Sequence, residues 1–318
     1  MDFAGFLGNE GLKQRLNHAV EHGKLSHCYL ITGPEGSGKK TLAKLLAAAM
    51  QCTSSQNRPC RACPQCRKVL ADAHPDVVVV DDDKKNVSVD TARWAKTDLY
   101  IRPNEGNRKI YLFPRGGSLR IEAQNALLKV MEEPPAYGVF LLLAERAESL
   151  LPTIRSRCVE LALTPVPWAE AESFLRQADP ESSTETLQAA WRRAGGFLGQ
   201  AMKYLKNSGS AADERAEGIA EAFADGDRFA LSRILCKMEK LNREQLIPIL
   251  RRTQALTAEA LSTKSGTPAV TPAAQRLASK RTAAVLMQAY KDLAEALRAA
   301  DGNVGVGHIC GFLAVHLR

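Results

Sequence analysis

Four of the eight cysteines in this 318-residue chain fall in one short stretch, Cys52, Cys60, Cys63 and Cys66, with the spacing C-x7-C-x2-C-x2-C. A two-residue gap lets a tight turn aim two thiolates at one ion, and four thiolates close a tetrahedral shell with Zn–S at about 2.3 Å. No coordination position is left for a substrate, so the set reads as a structural zinc knuckle at about 52–66. The alternatives are two disulfides or an unoccupied thiol set. The opening MDFAGFLGNEGLKQRL lacks the basic-then-apolar order of a secretion signal, which favours zinc. Pro59, Pro64 and the polar run SSQNRP suit a small projection from a domain. Of the remaining cysteines, Cys28, Cys236 and Cys310 read as small packing residues without chemistry.

The second reactive pattern is Gly33-Pro34-Glu35-Gly36-Ser37-Gly38-Lys39-Lys40-Thr41. It follows the apolar run Cys28–Thr32 and opens a helical pattern with Leu42, Leu45, Leu46 and Met50 on one face. Strand, glycine-rich loop, Lys and helix are the context of a phosphate-binding P-loop, in which glycine amides and the helix N-terminus surround phosphate and Lys39 adds a point charge. The next position should carry the Mg²⁺-binding Ser or Thr and carries Lys40 instead. Thr41 lies about 100° further round the helix and cannot simply replace it. Gly33, Gly38, Lys39 and Lys40 therefore form a degenerate P-loop that could take phosphate or sulfate, with nucleotide binding left open. The strand that should end in metal-organising acids, Lys109–Phe113, runs into Pro114-Arg115-Gly116-Gly117. Asp81-Asp82-Asp83 is a competing divalent-ion candidate, but Lys84 and Lys85 follow at once, and a solvated strand end is the plainer reading.

These patterns need elements to hold them. Apolar runs at Cys28–Thr32, 77–81, Lys109–Phe113, 139–143 and 158–163 suit buried parallel strands, with helical patterns between them, such as Ala126, Leu127, Val130 and Met131. The expected fold is α/β plus all-α: an open sheet covered on both sides, then helices at 169–176, 184–194 and 198–206, a linker at 207–213, and helical segments around 214–263 and 272–300 broken at 264–272. With roughly 100–200 residues per domain, the length allows two or three domains. Composition, 45% apolar and 25% charged, excludes disorder and collagen-like repetition. No apolar stretch approaches the roughly 18 residues of a spanning helix, so a soluble, cytoplasmic protein is expected. The formal charge of +8 fits an anionic partner such as nucleic acid and equally a solubility device. Trp94, Trp168 and Trp191 read as packing residues.

One ordered set of motifs carries a family resemblance. The cysteine knuckle after a P-loop helix, His74-Pro75-Asp76, Gln124-Asn125-Ala126-Leu127-Leu128-Lys129-Val130-Met131-Glu132-Glu133-Pro134-Pro135 and Thr153-Ile154-Arg155-Ser156-Arg157-Cys158 resemble the bacterial clamp-loader AAA+ subunits of DNA polymerase III. The motifs cover about residues 3–205, and the rest is similar by helical character alone. The resemblance implies a P-loop AAA+ sheet domain with zinc knuckle at 1–163, a three-helix lid at 164–207 and a helical collar domain for oligomerisation at 213–318.

Departures from the family pattern place the chain within it. The ATPase members, gamma/tau, have Thr where this chain has Lys40, and their Walker B acids align with Pro114 and Arg115. The sensor-1 region is Ala144-Glu145, and the sensor-2 arginine falls near Gly199. The resemblance therefore implies the non-hydrolysing stator of the family, with no intrinsic catalysis. Ser156-Arg157-Cys158 matches the family's SRC motif, whose Arg157 would be an arginine finger reaching ATP on the adjacent subunit, where a planar, permanently charged donor can stabilise a γ-phosphate. Arg155 reads as a solvated or DNA-facing cation. Glu132 and Glu133 oppose the dipole at the end of their helix, a small cost that a subunit contact could offset. The implied partners are gamma/tau and delta subunits, and through the complex the sliding clamp and primer-template DNA. The rival readings are an active clamp-loader ATPase of gamma/tau type and a stand-alone zinc-dependent DNA-binding protein.

Overall fold

Strand β1 (Cys28–Thr32) is buried along its whole length, and its side chains alternate between two cores. Cys28 and Leu30 pack with Tyr111, Phe113, Phe140 and Leu142, while Tyr29 and Ile31 pack with Ile110, Leu112, Leu141 and Leu143. A strand covered on both faces has no solvent side, which is why its sequence is an unbroken apolar run. The computed structural model describes residues 1, 3–54, 57–81, 87–207, 211–267, 269, 271–302 and 304–317.

Five parallel strands form the sheet: β1, β2 (Val77–Val79), β3 (Lys109–Phe113), β4 (Gly138–Ala144) and β5 (Val159–Ala162). Their order is β2-β3-β4-β1-β5. Helices α1 (Glu10–Glu21) and α2 (Lys39–Gln51) contribute Leu12, Leu16, Leu42 and Leu46 to one core. On that side, too, packs α3 (Pro64–Leu70), through Cys66 and Val69. The other face is covered by α4 (Val89–Asp98) and α5 (Ile121–Glu132), through Ala92, Ala95, Leu127 and Met131. A single turn, α6 (Pro152–Arg155), precedes β5.

The expected α/β sheet is present, with shorter strands at its edges. The run at 77–81 pairs as a strand only to Val79, which is half exposed because β2 has one neighbour. Likewise, among the described residues, β5 pairs only with β1 and leaves Val159 and Glu160 exposed. Asp82, Asp83, Lys84 and Lys85 lie outside the described residues.

After β5 the chain is helical: α7 (Trp168–Ala178), α8 (Thr184–Arg193), α9 (Leu198–Asn207), α10 (Ala211–Asp225), α11 (Arg228–Met238), α12 (Arg243–Lys264), α13 (Pro272–Lys280), α14 (Ala283–Asp301) and α15 (Val306–His316). Five of these helices begin at a side-chain cap. Ser183, Asp227, Asn242, Thr271 and Thr282 cap the helices that follow them by accepting a backbone N–H, and Asn242 and Gln245 form a reciprocal capping box. Of the expected linker at 207–213, residues 208–210 lie outside the described set and Ala211 already opens a helix.

The chain divides into two compact units, Met1–Lys203 and Tyr204–Arg318. The first contains the sheet and α7 to α9 up to Lys203. The second is built on Phe223, Leu231, Leu250, Leu277, Leu293 and Leu313. Among the described residues, no helix is long and apolar enough to cross a membrane. Two expected packing residues are exposed. Cys236 lies at the surface of α11, and Trp94 is half exposed on α4, with its ring edge against Tyr111. Trp168 and Trp191 do pack together, ring centroids 5.6 Å apart, and the Trp191 indole donates to the Val166 carbonyl.

Candidate functional site

The glycine-rich loop joins the end of β1 to the start of α2, at the point where the sheet order places β1 between β4 and β5. Ligands of open parallel sheets bind at such carboxyl ends. A cavity of about 1120 Å³ opens there, lined by Gly36 to Thr41, by Pro114 and Arg115 after β3, by Ala144 to Arg146 after β4, and by Leu198, Gly199 and Lys203 of α9. Gly36 and Gly38 hold φ of 75° and 95°, left-handed values that a side chain would strain. The hydroxyl of Ser37 is buried there without a hydrogen-bond partner.

Charged residues of both signs line this cavity, Lys39, Lys40, Arg115, Glu35, Glu145 and Glu148 among them. The Lys39 ammonium is turned onto the loop itself, donating to the carbonyls of Gly33 and Pro34. Burial lowers its pKa, against the opposing charges of Glu145 and Glu35. Lys40 is exposed and lines the cavity beside Thr41. Arg115, at the end of the strand where an acid would be expected, donates through Nε to Asp81 Oδ1 at 2.6 Å. The first acid of the Asp81-Asp82-Asp83 run is therefore neutralised by a guanidinium, and the other two lie outside the described residues.

Gly199 and Gly36 meet backbone to backbone. The Gly199 N–H donates to the Gly36 carbonyl at 2.9 Å, and a Cβ built on Gly199 would lie 2.8 Å from Gly36 Cα. The ion pair Lys203–Glu35 reinforces the contact. A bulky residue at Gly199 would push α9 off the loop.

Arg157 sits at the other end of the strands. It precedes β5, and because β1 and β5 are parallel with Tyr29 opposite Val159, Arg157 lies at the edge where β1 begins. The P-loop begins where β1 ends. At about 3.3 Å per residue the five residues of β1 separate the two by roughly 16 Å, further than an arginine side chain reaches. Arg157 donates to Thr153 O at 2.8 Å and to Glu132 Oε1 at 2.8 Å. Glu132 closes α5, so the charge that opposes the helix dipole is matched by a guanidinium from the following motif. Arg155 is half-buried, with its Nε lacking a hydrogen-bond partner.

The four cysteines of the knuckle converge. Their sulfurs lie within 4.8 Å of one another. Around a tetrahedral ion with Zn–S of about 2.3 Å, sulfurs stand roughly 3.8 Å apart, so the set fits zinc after a small contraction. Backbone amides already point at the sulfurs: Cys60 N–H donates to Cys52 Sγ at 3.4 Å, Cys63 N–H to Cys60 Sγ at 3.3 Å and Cys66 N–H to Cys63 Sγ at 3.4 Å. Burial pushes the Cys63 thiol up, but the amides of Cys66 and Thr53 outweigh it and bring its pKa down to about 6. The Cys63 amide likewise lowers that of Cys60. Burial raises that of Cys66, the deepest of the set.

Three further residues organise the unit, and none was assigned a role from sequence. Asp76 is fully buried and accepts from the amides of Asn104, Glu105 and Gly106 at 2.6, 2.9 and 2.7 Å. Its neighbour His74 accepts the Asp76 N–H at Nδ1, leaving Nε2–H to donate to Gln65 Oε1 at 2.7 Å, which ties α3 and the knuckle to β2. Gln124 is also buried. Its amide donates to Leu119 O at 2.9 Å and accepts from Leu151 N at 2.7 Å, joining the segment after β3 to the turn that leads to Arg157. A buried Asp after His-Pro and a Gln one turn into an apolar helix were the available signals; their partners are far off in the chain.

The chain is similar in sequence and in fold to known proteins. The sequence model of the family described as DNA polymerase III, delta subunit, matches residues 8–167. DNA polymerase III subunit delta' of Pseudomonas aeruginosa is 34% identical over 195 residues, 59% of this chain and 57% of that protein. DNA polymerase III subunit tau of Bacillus subtilis is 34% identical over 157 residues, 49% of this chain and 28% of that protein. The match thus spans little more than half the length of the first of these relatives and less of the second. Among solved structures, a DNA polymerase III, gamma subunit-related protein from Thermotoga maritima is similar in fold, with a TM-score of 0.51 at 18% identity, over 96% of this chain and 99% of that one.

Proposed function

This chain belongs to the DNA polymerase III, delta subunit family, and from that premise we propose that it is a delta-prime-like clamp-loader subunit that does not hydrolyse ATP. Its work is done on a neighbour: Arg157, with Ser156 and Cys158 of the motif, completes an ATP site on an adjacent gamma/tau subunit. With gamma/tau and delta subunits it helps load the sliding clamp on primer-template DNA, in the cytoplasm.

The observation that carries this reading is that Arg157 lies at the end of the strands away from its own P-loop, out of reach of that loop. The altered P-loop agrees with it. In this reading Lys40 takes the place of a magnesium ligand and Arg115 that of a carboxylate, the sensor arginine would fall near Gly199, and Lys39 is engaged by its own loop. Phosphate or sulfate is the ligand that Gly33, Gly38, Lys39 and Lys40 suit. In this reading residues 1–163, 164–207 and 213–318 act as AAA+ domain, lid and oligomerising collar. Zinc at Cys52, Cys60, Cys63 and Cys66 holds the knuckle in shape.

The test is reconstitution with gamma/tau and delta subunits. Arg157→Ala is expected to lower DNA-stimulated ATPase of the complex at least tenfold with assembly intact, and the purified chain is expected to turn over no ATP with Mg²⁺. Unchanged turnover by the Arg157→Ala complex, or hydrolysis by the chain alone, overturns the reading.

A further inference from the structure

Two cysteines set aside as packing residue and motif residue lie together. Cys28 opens β1, and Cys158 stands immediately before β5. In the parallel pairing of these strands Tyr29 faces Val159, so Cys28 and Cys158 occupy the preceding pair of positions, and both side chains join the core that contains Phe140 and Leu142. Their sulfurs are 2.7 Å apart. This is closer than two unbonded sulfurs rest comfortably and needs a contraction of only about 0.7 Å to reach the length of a disulfide. The four knuckle cysteines pack against the core on the opposite face, so the sheet separates the two thiol sets.

We propose that Cys28 and Cys158 form an oxidisable dithiol, a modification site at which a peroxide closes a disulfide between β1 and the residue that follows Arg157. Solvent reaches Cys158 in part and Cys28 not at all, which fixes the order of events. Burial, reinforced by the adjoining Cys158, also keeps Cys28 in its thiol form. Cys158 sulfur, losing its proton, attacks one oxygen of the peroxide. An S–O bond forms, the O–O bond breaks, and the leaving oxygen takes the proton as water or alcohol. The Cys28 sulfur then attacks the sulfenyl sulfur of Cys158. The S–S bond forms, the S–O bond breaks, and the hydroxyl departs as water with the Cys28 proton. Two sulfurs are oxidised by one electron each, and the peroxide is reduced by two. The pair needs no resolving thiol from outside because the second sulfur is already in contact.

The cross-link fixes the residue beside Arg157 to the first strand, so any rearrangement of the motif is blocked until a thiol reductant reopens the bond. The dithiol chemistry stands on the geometry of the two sulfurs and is independent of the role assigned to Arg157.

The experiment treats the full-length, zinc-loaded chain with hydrogen peroxide, digests it without reduction and maps its peptides by mass. The expected product is one joined pair of peptides carrying Cys28 and Cys158, two hydrogens lighter than their sum, and split by dithiothreitol. It should vanish in Cys158→Ser, and the wild-type result stands even where Cys28→Ser folds poorly. Cys158 recovered as a sulfinic acid without the joined pair, both cysteines recovered unmodified, or disulfides found only among Cys52, Cys60, Cys63 and Cys66 would each overturn it.

Discussion

The guanidinium of Arg157 is bound within its own chain by Glu132, Nη2 to Oε1 at 2.8 Å, with the Glu132 carboxylate more than half exposed. An exposed pair of this kind contributes less than about 1 kcal/mol, so it can direct a side chain without committing it. A phosphate group on a neighbouring subunit would compete with Glu132 for the same donors.

Glu132→Gln should therefore leave the melting temperature close to that of the wild type and leave assembly intact. Under the proposed role of Arg157, the ATPase of the reconstituted complex is expected at or above the wild-type level, because its guanidinium is released. A fall to the level of Arg157→Ala would show that Glu132 is needed to position the Arg157 side chain.

The contact between Gly36 and Gly199 should be intolerant of a methyl group. Gly36→Ala places a Cβ 2.4 Å from the Gln200 amide nitrogen at a φ of 75°, and Gly199→Ala places one 2.8 Å from backbone atoms of Gly36. Overpacking of this kind costs about 1–3 kcal/mol. Calorimetry should show a lowered transition for both variants, with Gly36→Ala the worse because steric and backbone strain add.

Acid should weaken the sheet unit through Asp76. Burial alone would raise its carboxyl, but the amides of Asn104, Glu105 and Gly106 more than offset this and hold its pKa below the ordinary carboxylate range. A group depressed on folding stabilises fully above its unfolded pKa, and that stability is lost as pH falls through the folded value, here below about pH 4. Asp76→Ala should remove about 3 kcal/mol at neutral pH, leaving three amides without an acceptor, and flatten the acid limb of a denaturation series. An unchanged acid limb would show that other carboxylates govern it.

The knuckle should take up one zinc per chain on elemental analysis, and Cys63→Ser should lose it. Because α3 is also tied to β2 through Gln65 and His74, metal loss should disturb the knuckle while far-ultraviolet circular dichroism stays close to the wild type. Global unfolding on chelation would make the metal a support of the whole unit.

Much of this protein can be read from local sequence. A buried parallel strand needs apolar side chains on both faces, so β1, β3 and β4 appear as unbroken runs, whereas the edge strands β2 and β5, each with one neighbour, end earlier than their apolar residues do. Helix caps and the two-residue gaps between Cys60, Cys63 and Cys66 are equally local, since their partners lie within a turn or so. Cys236 and Trp94 show the limit of that reading. An apolar neighbourhood in sequence does not say which side of a helix meets the core, and both residues face solvent.

By itself, the sequence determined which residues this protein has for chemistry: four clustered thiols, a glycine-rich loop with Lys40 after Lys39, and Arg157 between Ser156 and Cys158. Only the tertiary structure decided where they lie. Strand order and parallel direction put Arg157 at the edge away from its own P-loop, set Asp81 on Arg115, laid Gly199 on Gly36 and brought Cys28 against Cys158 across 130 residues of chain. Such contacts are fixed by sheet pairing between distant segments, and no spacing along the chain encodes them.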